Sequence, residues 1–401
     1  MSPKSRICIS GLGYIGLPTA ALLANSGYFV HGVDVVPSVV DTINRGEIHI
    51  VEPDLEAFVH AGVHSGHLKA SLRPAEADVF IIAVPTPFRN DYSPDISYVL
   101  SATRSLAPFL KPGNLIILES TSPVGTTERV REELEIQGVD TAGLYFAYCP
   151  ERVLPGHVIR ELIENDRIVG GLDEAGTRKG ADFYRAFVKG DVLETNARTA
   201  EMCKLTENAS RDVNIAFANE LSMICDELDI NVWELIRLAN KHPRVNILRP
   251  GTGVGGHCIA VDPWFIVSQS PDRARIIRQA REVNDYKTRW VTEKILSTCL
   301  RFRLEENRKP LVACLGLAFK PDIDDLRESP AVEVVHALQK ENIDFLVVEP
   351  HVESYGEFRI EAPEEALRKA DVIAILVGHS LFKNLSFPAG KTVLDFVGLN
   401  N

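Results

Sequence analysis

The sequence predicts an α/β protein, with two doubly wound α/β units joined by a central helical region. Three observations carry this. Short apolar runs alternate with helix-like stretches over 1–196, long helical periodicities take over in 197–304, and the strand–helix alternation resumes in smaller form over 305–401. Short buried runs separated by helices are the signature of a parallel sheet covered on both faces.

The first unit opens with the run Arg6–Ser10, which ends at Gly11. Helical spacing follows over Tyr14–Ser26, and a second run, Tyr28–Val33, ends in Asp34. Further strand runs at Asp78–Val84, Asn114–Leu118 and Leu144–Tyr148 are bounded by Pro, Gly and polar turns. In the middle region Thr199–Leu228, Val232–Asn240 and Arg273–Phe302 carry the helical period. Long central helices often pack against a symmetry mate, so a homodimer through this region is expected. Arg303–Lys309 is charged enough to read as an exposed linker. The last unit has strand runs at Leu311–Leu315, Phe345–Val348, Val372–Val377 and Thr392–Phe396, and a helix over Ala331–Lys340.

The 401 residues include 55 acidic and 43 basic side chains, a net charge of −12, and 45% are hydrophobic. Global disorder is excluded. The acidic balance argues against nucleic acid and against an anionic membrane surface as partners. The apolar runs are far shorter than the roughly 18 residues of a spanning helix, so no membrane insertion is expected. The N-terminus has no signal-like apolar region, which points to the cytoplasm. The seven cysteines are odd in number, irregularly spaced and without a Cys-x-x-Cys pair. This fits a reduced compartment without a disulfide framework or zinc cluster. Most of these thiols sit in apolar stretches, but Cys258 does not.

The motifs point to a dinucleotide. Gly11, Gly13 and Gly16 follow a strand and open a helix, and Asp34 ends the next strand. In that context the glycines allow a tight turn, close approach of a pyrophosphate and close helix–strand packing, so the unit is Rossmann-like. The carboxylate of Asp34 favours NAD over NADP, because it would repel a 2′-phosphate. The loops carrying Thr86 and Thr121 follow two further strands and should face the cofactor. Thr121 and Ser122 read equally well as helix caps, with Pro123 at the first helical position. Lys204, Asn208 and Arg211 are spaced four and three apart, on one helix face. A solvated face would account for them as well as a pocket would.

The loop from Gly251 to Asp262 is the most informative segment. Its glycines would let a substrate and a flat ring approach the backbone, and Cys258 after them suits an exposed nucleophile. A structural cysteine in a turn is the competing reading. His257 is a sequence neighbour of Cys258 and is not assigned as its base, because adjacent side chains on an extended chain point to opposite sides. In the last unit Gly316 ends a strand, and Lys320 and Arg327 beyond it could clamp a diphosphate or be solvated surface charge.

Taken together, these segments resemble the UDP-glucose/GDP-mannose dehydrogenase family over nearly the whole chain. The resemblance rests on Gly11–Gly16, the loop from Thr121 to Thr127, Cys149-Pro-Glu151-Arg152, the stretch Glu201–Arg211, the Gly-Gly-His-Cys258 loop and Gly316–Pro330. Within the family, Asn44–Asp54, His242–Leu248 and His257–Phe265 look like the branch that oxidises UDP-N-acetyl-D-mannosamine. UDP-glucose enzymes commonly carry Lys before the loop Asp, where this chain has Val261. The resemblance implies a Rossmann-like NAD-binding domain, a helical dimerisation domain and a second, UDP-binding Rossmann-like domain. It implies a four-electron oxidation at the sugar C6 with two NAD and no metal.

Under that resemblance the catalytic set is Cys258 as nucleophile, Lys204 and Asn208 beside the C6 oxygen, and Asp262, Glu151 and Thr121 in support. Gly11, Gly13, Tyr14, Ile15, Gly16, Asp34, Thr86, Thr121 and Arg327 would hold NAD. The UDP-sugar would contact Arg152, Val153, Lys204, Asn208, Arg211, His242, Gly255, Lys320 and Arg327, with Arg244 reaching across a dimer interface. Two other readings fit parts of the pattern. One is a one-step β-hydroxyacid dehydrogenase, which needs neither Cys258 nor the last domain. The other is a non-catalytic NAD sensor, which leaves Lys204 unexplained.

Overall fold

A computed structural model of the chain describes residues 5–89, 91–154, 156–256, 258–356 and 358–399. The chain divides into two compact units, Met1–Glu207 and Asn208–Asn401.

The first unit begins with β1 (Arg6–Ser10), α1 (Gly16–Asn25) and β2 (Phe29–Val33), followed by α2 (Pro37–Asn44), α3 (Leu55–His64) and β3 (Leu68–Ser71). Next come β4 (Val79–Ile82), α4 (Ser97–Leu106), β5 (Leu115–Leu118), α5 (Thr126–Ile136) and β6 (Tyr145–Tyr148). The chain continues through α6 (Val158–Glu164), β7 (Arg167–Gly171), α7 (Glu174–Arg185) and β8 (Val192–Asn196) into α8 (Ala197–Glu227), inside which the unit boundary falls.

Among the described residues these strands form one eight-stranded sheet, ordered β3-β2-β1-β4-β5-β6-β7-β8. The reversal of order at β1 and β4 makes it doubly wound. Strand alternation divides the core between two faces. Ile7, Ile9, Val79 and Ile81 pack on one face with Leu17 and Ala20 of α1 and Phe183 of α7. Cys8, Phe80 and Ile82 pack on the other with Val99, Val130 and Leu134 of α4 and α5.

The sheet departs from the all-parallel expectation. β7 pairs antiparallel with β6, and β8 runs parallel to β7. The segment between β6 and β7 carries only the seven-residue α6, and the chain returns in the opposite direction instead of crossing over the sheet. β7 and β8 are not legible in the sequence, because Arg167 opens one and the other is a largely exposed edge.

In the second unit α9 (Val232–Ala239), α10 (Asp262–Gln269) and α11 (Arg275–Glu306) precede β9 (Leu311–Leu315), α12 (Pro330–Lys340) and β10 (Asp344–Val348). The short hairpin β11 (Ser354–Tyr355) and β12 (Phe358–Arg359), α13 (Pro363–Lys369), β13 (Val372–Ile375) and β14 (Thr392–Asp395) complete it. The order β10-β9-β13-β14 is parallel throughout. Val312 and Cys314 face Val291 and Ile295 of α11 and Val334 and Val335 of α12. Ala313 and Leu315 face Ala366 and Leu367 of α13. The expected linker Arg303–Lys309 is exposed, but α11 runs through its first half and stops at Asn307, whose φ of 53° lies in the left-handed region.

A buried polar chain fastens α11 to the second-unit part of α8. Arg281 donates to Asp212 at 2.7 Å, and both are buried. Asn284 donates to the same carboxylate at 2.8 Å, and Asn219 donates to Asn284 at 2.9 Å. Asn219 in turn accepts the Gly251 N–H at 2.8 Å, which ties the start of the glycine loop to the helices. Arg281→Ala strands the Asp212 carboxylate in the interior and is expected to destabilise the second unit by about 3–5 kcal/mol. Urea denaturation measures this, and a loss under about 1 kcal/mol would show that water or rearrangement satisfies Asp212.

Candidate functional site

In the first unit the candidate residues gather at the carboxyl ends of the parallel strands. Gly11 has φ of 94°, and a Cβ there would lie 2.4 Å from the Ala83 carbonyl oxygen. A Cβ on Gly16 would lie 1.8 Å from the Gly11 oxygen, whereas one on Gly13 would meet nothing within 4 Å. Two glycines are therefore demanded by the turn, and the third faces open space at the start of α1, where Tyr14 is exposed and Ile15 is the N-cap. That cradle fits a pyrophosphate against helix N–H groups. Asp34 accepts the Leu12 N–H at 3.1 Å and the Val36 N–H at 3.0 Å, so this carboxylate holds the loop in shape.

The Thr86 hydroxyl donates to the Thr121 carbonyl, which joins two loops that the sequence read separately. The capping expectation at Thr121 to Pro123 is corrected. α5 starts at Thr126, and its N-terminal N–H groups are satisfied from a distance by Glu201 of α8. The buried Glu201 carboxylate accepts from Gly125 N at 2.6 Å, Thr127 N at 2.8 Å and the Thr127 hydroxyl at 2.7 Å. Burial still pushes its pKa above the ordinary carboxylate range. Lys204, half-buried, lies three residues further along the same helix.

Glu151 is buried and paired with the buried Arg167 at 2.6 Å, and it accepts the Arg152 N–H at 2.7 Å. The Arg152 guanidinium pairs with Glu207 at 2.8 Å, and half-buried Val153 packs by Val158 and Leu162. Beside Glu151 lies a residue that sequence reading missed. Glu119, fully enclosed after β5, accepts from the Tyr184 hydroxyl at 2.6 Å, and its Oε2 has no partner among the described residues. Burial first, and the charge of Glu151 second, push its pKa up to about 7. A carboxylate directly after an apolar strand gives no periodic signal of burial, so no sequence pattern marks it.

In the second unit Asn208 donates to Asp262 at 2.5 Å, and both are buried. Asp262 begins α10, and its N–H donates to the Cys258 carbonyl at 2.8 Å, so Cys258 sits one turn before that helix. Cys258 is exposed. Burial pushes Cys8 and Cys299 up to about 11 and Cys149 and Cys314 up to about 12, which leaves those thiols protonated at neutral pH. His257 lies outside the described residues.

The glycines of this loop have a reason the sequence did not show. A Cβ on Gly253 would lie 2.2 Å from the Thr288 hydroxyl, and one on Gly255 would lie 2.2 Å from the Glu328 carbonyl oxygen. One on Gly256 would meet the Phe319 ring at 2.8 Å. The absent side chains are thus required by packing of this loop on the loop after β9, not by room for a ligand alone. That packing brings Cys258, Lys320 and Arg327 onto neighbouring segments. Lys320 lies over the Phe319 ring at 5.9 Å, and Arg327 is exposed and doubly bonded to Asp325 at 2.9 and 2.7 Å. Arg211, His242 and Arg244 are exposed, and the Arg244 N–H donates to His242 at 3.3 Å.

Glu349 at the end of β10 repeats the role of Asp34. It accepts the Leu317 and Ala318 N–H groups at 2.7 and 3.0 Å. It also accepts the His379 Nε2–H at 3.0 Å, since His379 Nδ1 accepts the Asp322 N–H.

Sequence profiles of the UDP-glucose/GDP-mannose dehydrogenase family match three segments: its NAD binding domain over 5–188, its central domain over 198–286 and its UDP binding domain over 313–398. A UDP-N-acetyl-D-mannosamine dehydrogenase of Campylobacter jejuni is 54% identical over 400 residues, covering 95% of this chain and 97% of that protein. An NDP-N-acetyl-D-galactosaminuronic acid dehydrogenase of Ralstonia nicotianae is 53% identical, covering 98% and 96%. A solved UDP-N-acetyl-mannosamine dehydrogenase of Staphylococcus aureus is 43% identical and superposes with a TM-score of 0.88, covering 98% and 95%.

The Glu119 environment predicts a pH effect on stability. Its folded pKa of about 7 lies above the ordinary value of 4.5, so the folded protein holds a proton that the unfolded chain releases between these values. Stability from this group therefore falls as pH rises from about 4.5 to 7 and is flat above. Glu119→Gln, isosteric with the protonated acid, should melt higher than wild type at pH 8 and equal to it near pH 4.5. Equal melting temperatures at both pH values would place Glu119 in a polar, hydrated setting.

Proposed function

The chain belongs to the UDP-glucose/GDP-mannose dehydrogenase family and is an NAD-dependent nucleotide-sugar dehydrogenase, and on that premise we propose that it oxidises UDP-N-acetyl-D-mannosamine at C6 to the uronate. The observation that carries the four-electron reading is the exposed Cys258 held one turn before the buried, Asn208-bonded Asp262. A one-step dehydrogenase has no use for that thiol. The mannosamine substrate follows the name of the Campylobacter jejuni relative and the Val261 position.

The residues at the start of α1 and the Thr86–Thr121 loops fit NAD, which when bound accepts a hydride at each oxidation step. Lys204 and Asn208, one helical turn apart on α8, serve the C6 oxygen as it loses its proton, one by charge and one by its amide. The Cys258 thiolate adds through Sγ to the C6 aldehyde and gives a thiohemiacetal, which keeps the half-oxidised sugar in place. Oxidation of that adduct leaves a thioester. Water attacks its carbonyl carbon, the C–S bond breaks, and the thiolate is regenerated. Glu151 takes the proton of the attacking water, Asp262 supports the attack, and Thr121 orients the water. Arg152, Val153, Arg211, His242, Gly255, Lys320 and Arg327 contact the UDP-sugar, and Arg327 also reaches the cofactor.

The active form is a homodimer in this reading. Phe217 and Ile224, seven apart on α8, and Leu228 just beyond its end are 51%, 45% and 61% exposed, an apolar patch that a second copy would cover. Arg244 is exposed and available to a partner's site. Sedimentation should give a dimer at micromolar concentration, and Phe217→Glu with Ile224→Glu should give a monomer. A strict wild-type monomer overturns the dimer.

The substrate reading is tested by incubating the enzyme with NAD and UDP-N-acetyl-D-mannosamine, UDP-N-acetyl-D-galactosamine, UDP-N-acetyl-D-glucosamine and UDP-glucose. Two NADH per UDP-N-acetyl-D-mannosamine are expected, and turnover confined to another sugar overturns the choice. Cys258→Ser should lose net uronate production by at least 100-fold, since a hydroxyl is a far weaker nucleophile at neutral pH. Full steady-state NADH from this variant would rule out the covalent path.

A further inference from the structure

The buried carboxylate Glu119 takes no part in the chemistry above, yet it lies beside the buried Glu151. The groups that face it come from three segments: Cys149 and Glu151 after β6, Arg167 of β7, and Tyr184 of α7. Arg167 is the cation among these groups. It donates through Nη1 to Glu151 and through Nη2 to the Leu162 carbonyl at 3.0 Å, and it sits 5.6 Å over the Tyr184 ring.

Among the described residues, two buried polar atoms of this cluster have no hydrogen-bond partner: Glu119 Oε2 and Arg167 Nε. One guanidinium cannot neutralise two buried carboxylates, and an uncompensated charge in such a place is expensive. With Glu119 protonated the cluster is neutral and Arg167 is committed to Glu151. With Glu119 ionised, the unused Nε–H and Oε2 give the two a reason to pair, and Arg167 is divided between two carboxylates.

We propose that Glu119 is a positioning residue which, by gaining and losing its proton, decides whether Glu151 is locked to Arg167 or released to accept a proton from the hydrolytic water. The proposal rests on the role given to Glu151 above. Only a proton moves: Glu119 loses it to solvent as pH rises, and the Glu151 carboxylate then accepts one from water while hydroxide adds to the thioester carbon. Burial places the Glu119 transition near neutrality, where the switch matters for turnover. Tyr184 tunes it, because its hydroxyl donates to Oε1 and so favours the ionised form.

The test is the pH dependence of kcat for uronate formation by the full-length enzyme, with saturating NAD and UDP-sugar. Wild-type kcat should rise between pH 6 and 8.5 beyond what Glu119→Gln shows. The two should agree within twofold at pH 6, and the variant should be at least fivefold slower at pH 8.5. Tyr184→Phe should retain the rise but move its midpoint to higher pH, a shift that a purely structural defect does not produce. Glu151→Gln should be slow at every pH. If wild type turns over and Glu151→Gln is impaired, but Glu119→Gln follows wild type across the range, the switch is wrong while the mechanism stands. If Glu151→Gln is fully active, the reading of Glu151 itself fails.

Discussion

Carboxylates drawn wholly or partly out of water to accept backbone N–H groups are the constraint on which the rest of this molecule depends. Asp34 holds the first glycine turn, Glu349 the corresponding turn after β9, and Glu201 the N-terminus of α5. Glu52 does the same for the loop before α6, accepting from Gly156 and Val158 at 2.9 and 2.8 Å. Each carboxylate gives up water for two or more charge-assisted hydrogen bonds, so it is stable only if the loop keeps one shape. Loops at the carboxyl ends of parallel strands would otherwise be the least ordered part of an α/β fold.

The long helix α8 is held by the same kind of bond in each unit. In the first unit Glu201 fixes its opening turns to the loop that follows Thr121. In the second unit Asp212, bonded to Arg281 and Asn284, fixes a later turn to α11. Lys204 and Asn208 lie between these two anchors, so their side chains project from a segment restrained on both sides. Asn208 is oriented further by its bond to Asp262. The same logic governs Cys258, whose turn is closed by hydrogen bonds from Val261 and Asp262 and whose preceding glycines are clamped by Phe319 and Glu328.

Much of this was legible before any coordinates. The alternation of runs such as Arg6–Ser10 and Leu311–Leu315 with helical stretches located those strands to the residue, because buried parallel strands are continuously apolar. The glycine fingerprint, the Lys204–Asn208 spacing and the isolated Cys258 were equally visible, since each depends on local geometry. The reversed strand β7 and the exposed edge β8 were not, because a strand headed by Arg167 or facing solvent carries no apolar run. The capping of α5 was misread for a related reason: its acceptor, Glu201, lies 74 residues away from Thr127.

The sequence by itself determined the two-fold use of the doubly wound unit, the dinucleotide turn and the one cysteine set outside an apolar stretch, because these follow from short-range spacing. Tertiary structure alone decided which charges are buried and with whom. Nothing in the sequence marks Glu119 until β5, β6, β7 and α7 enclose it near Arg167, where burial raises the pKa of its carboxyl. The glycines before Cys258 read as space for a ligand until Phe319 and Glu328 fill that space. Charge burial and van der Waals contact are properties of neighbours distant in the chain, and no local pattern encodes them.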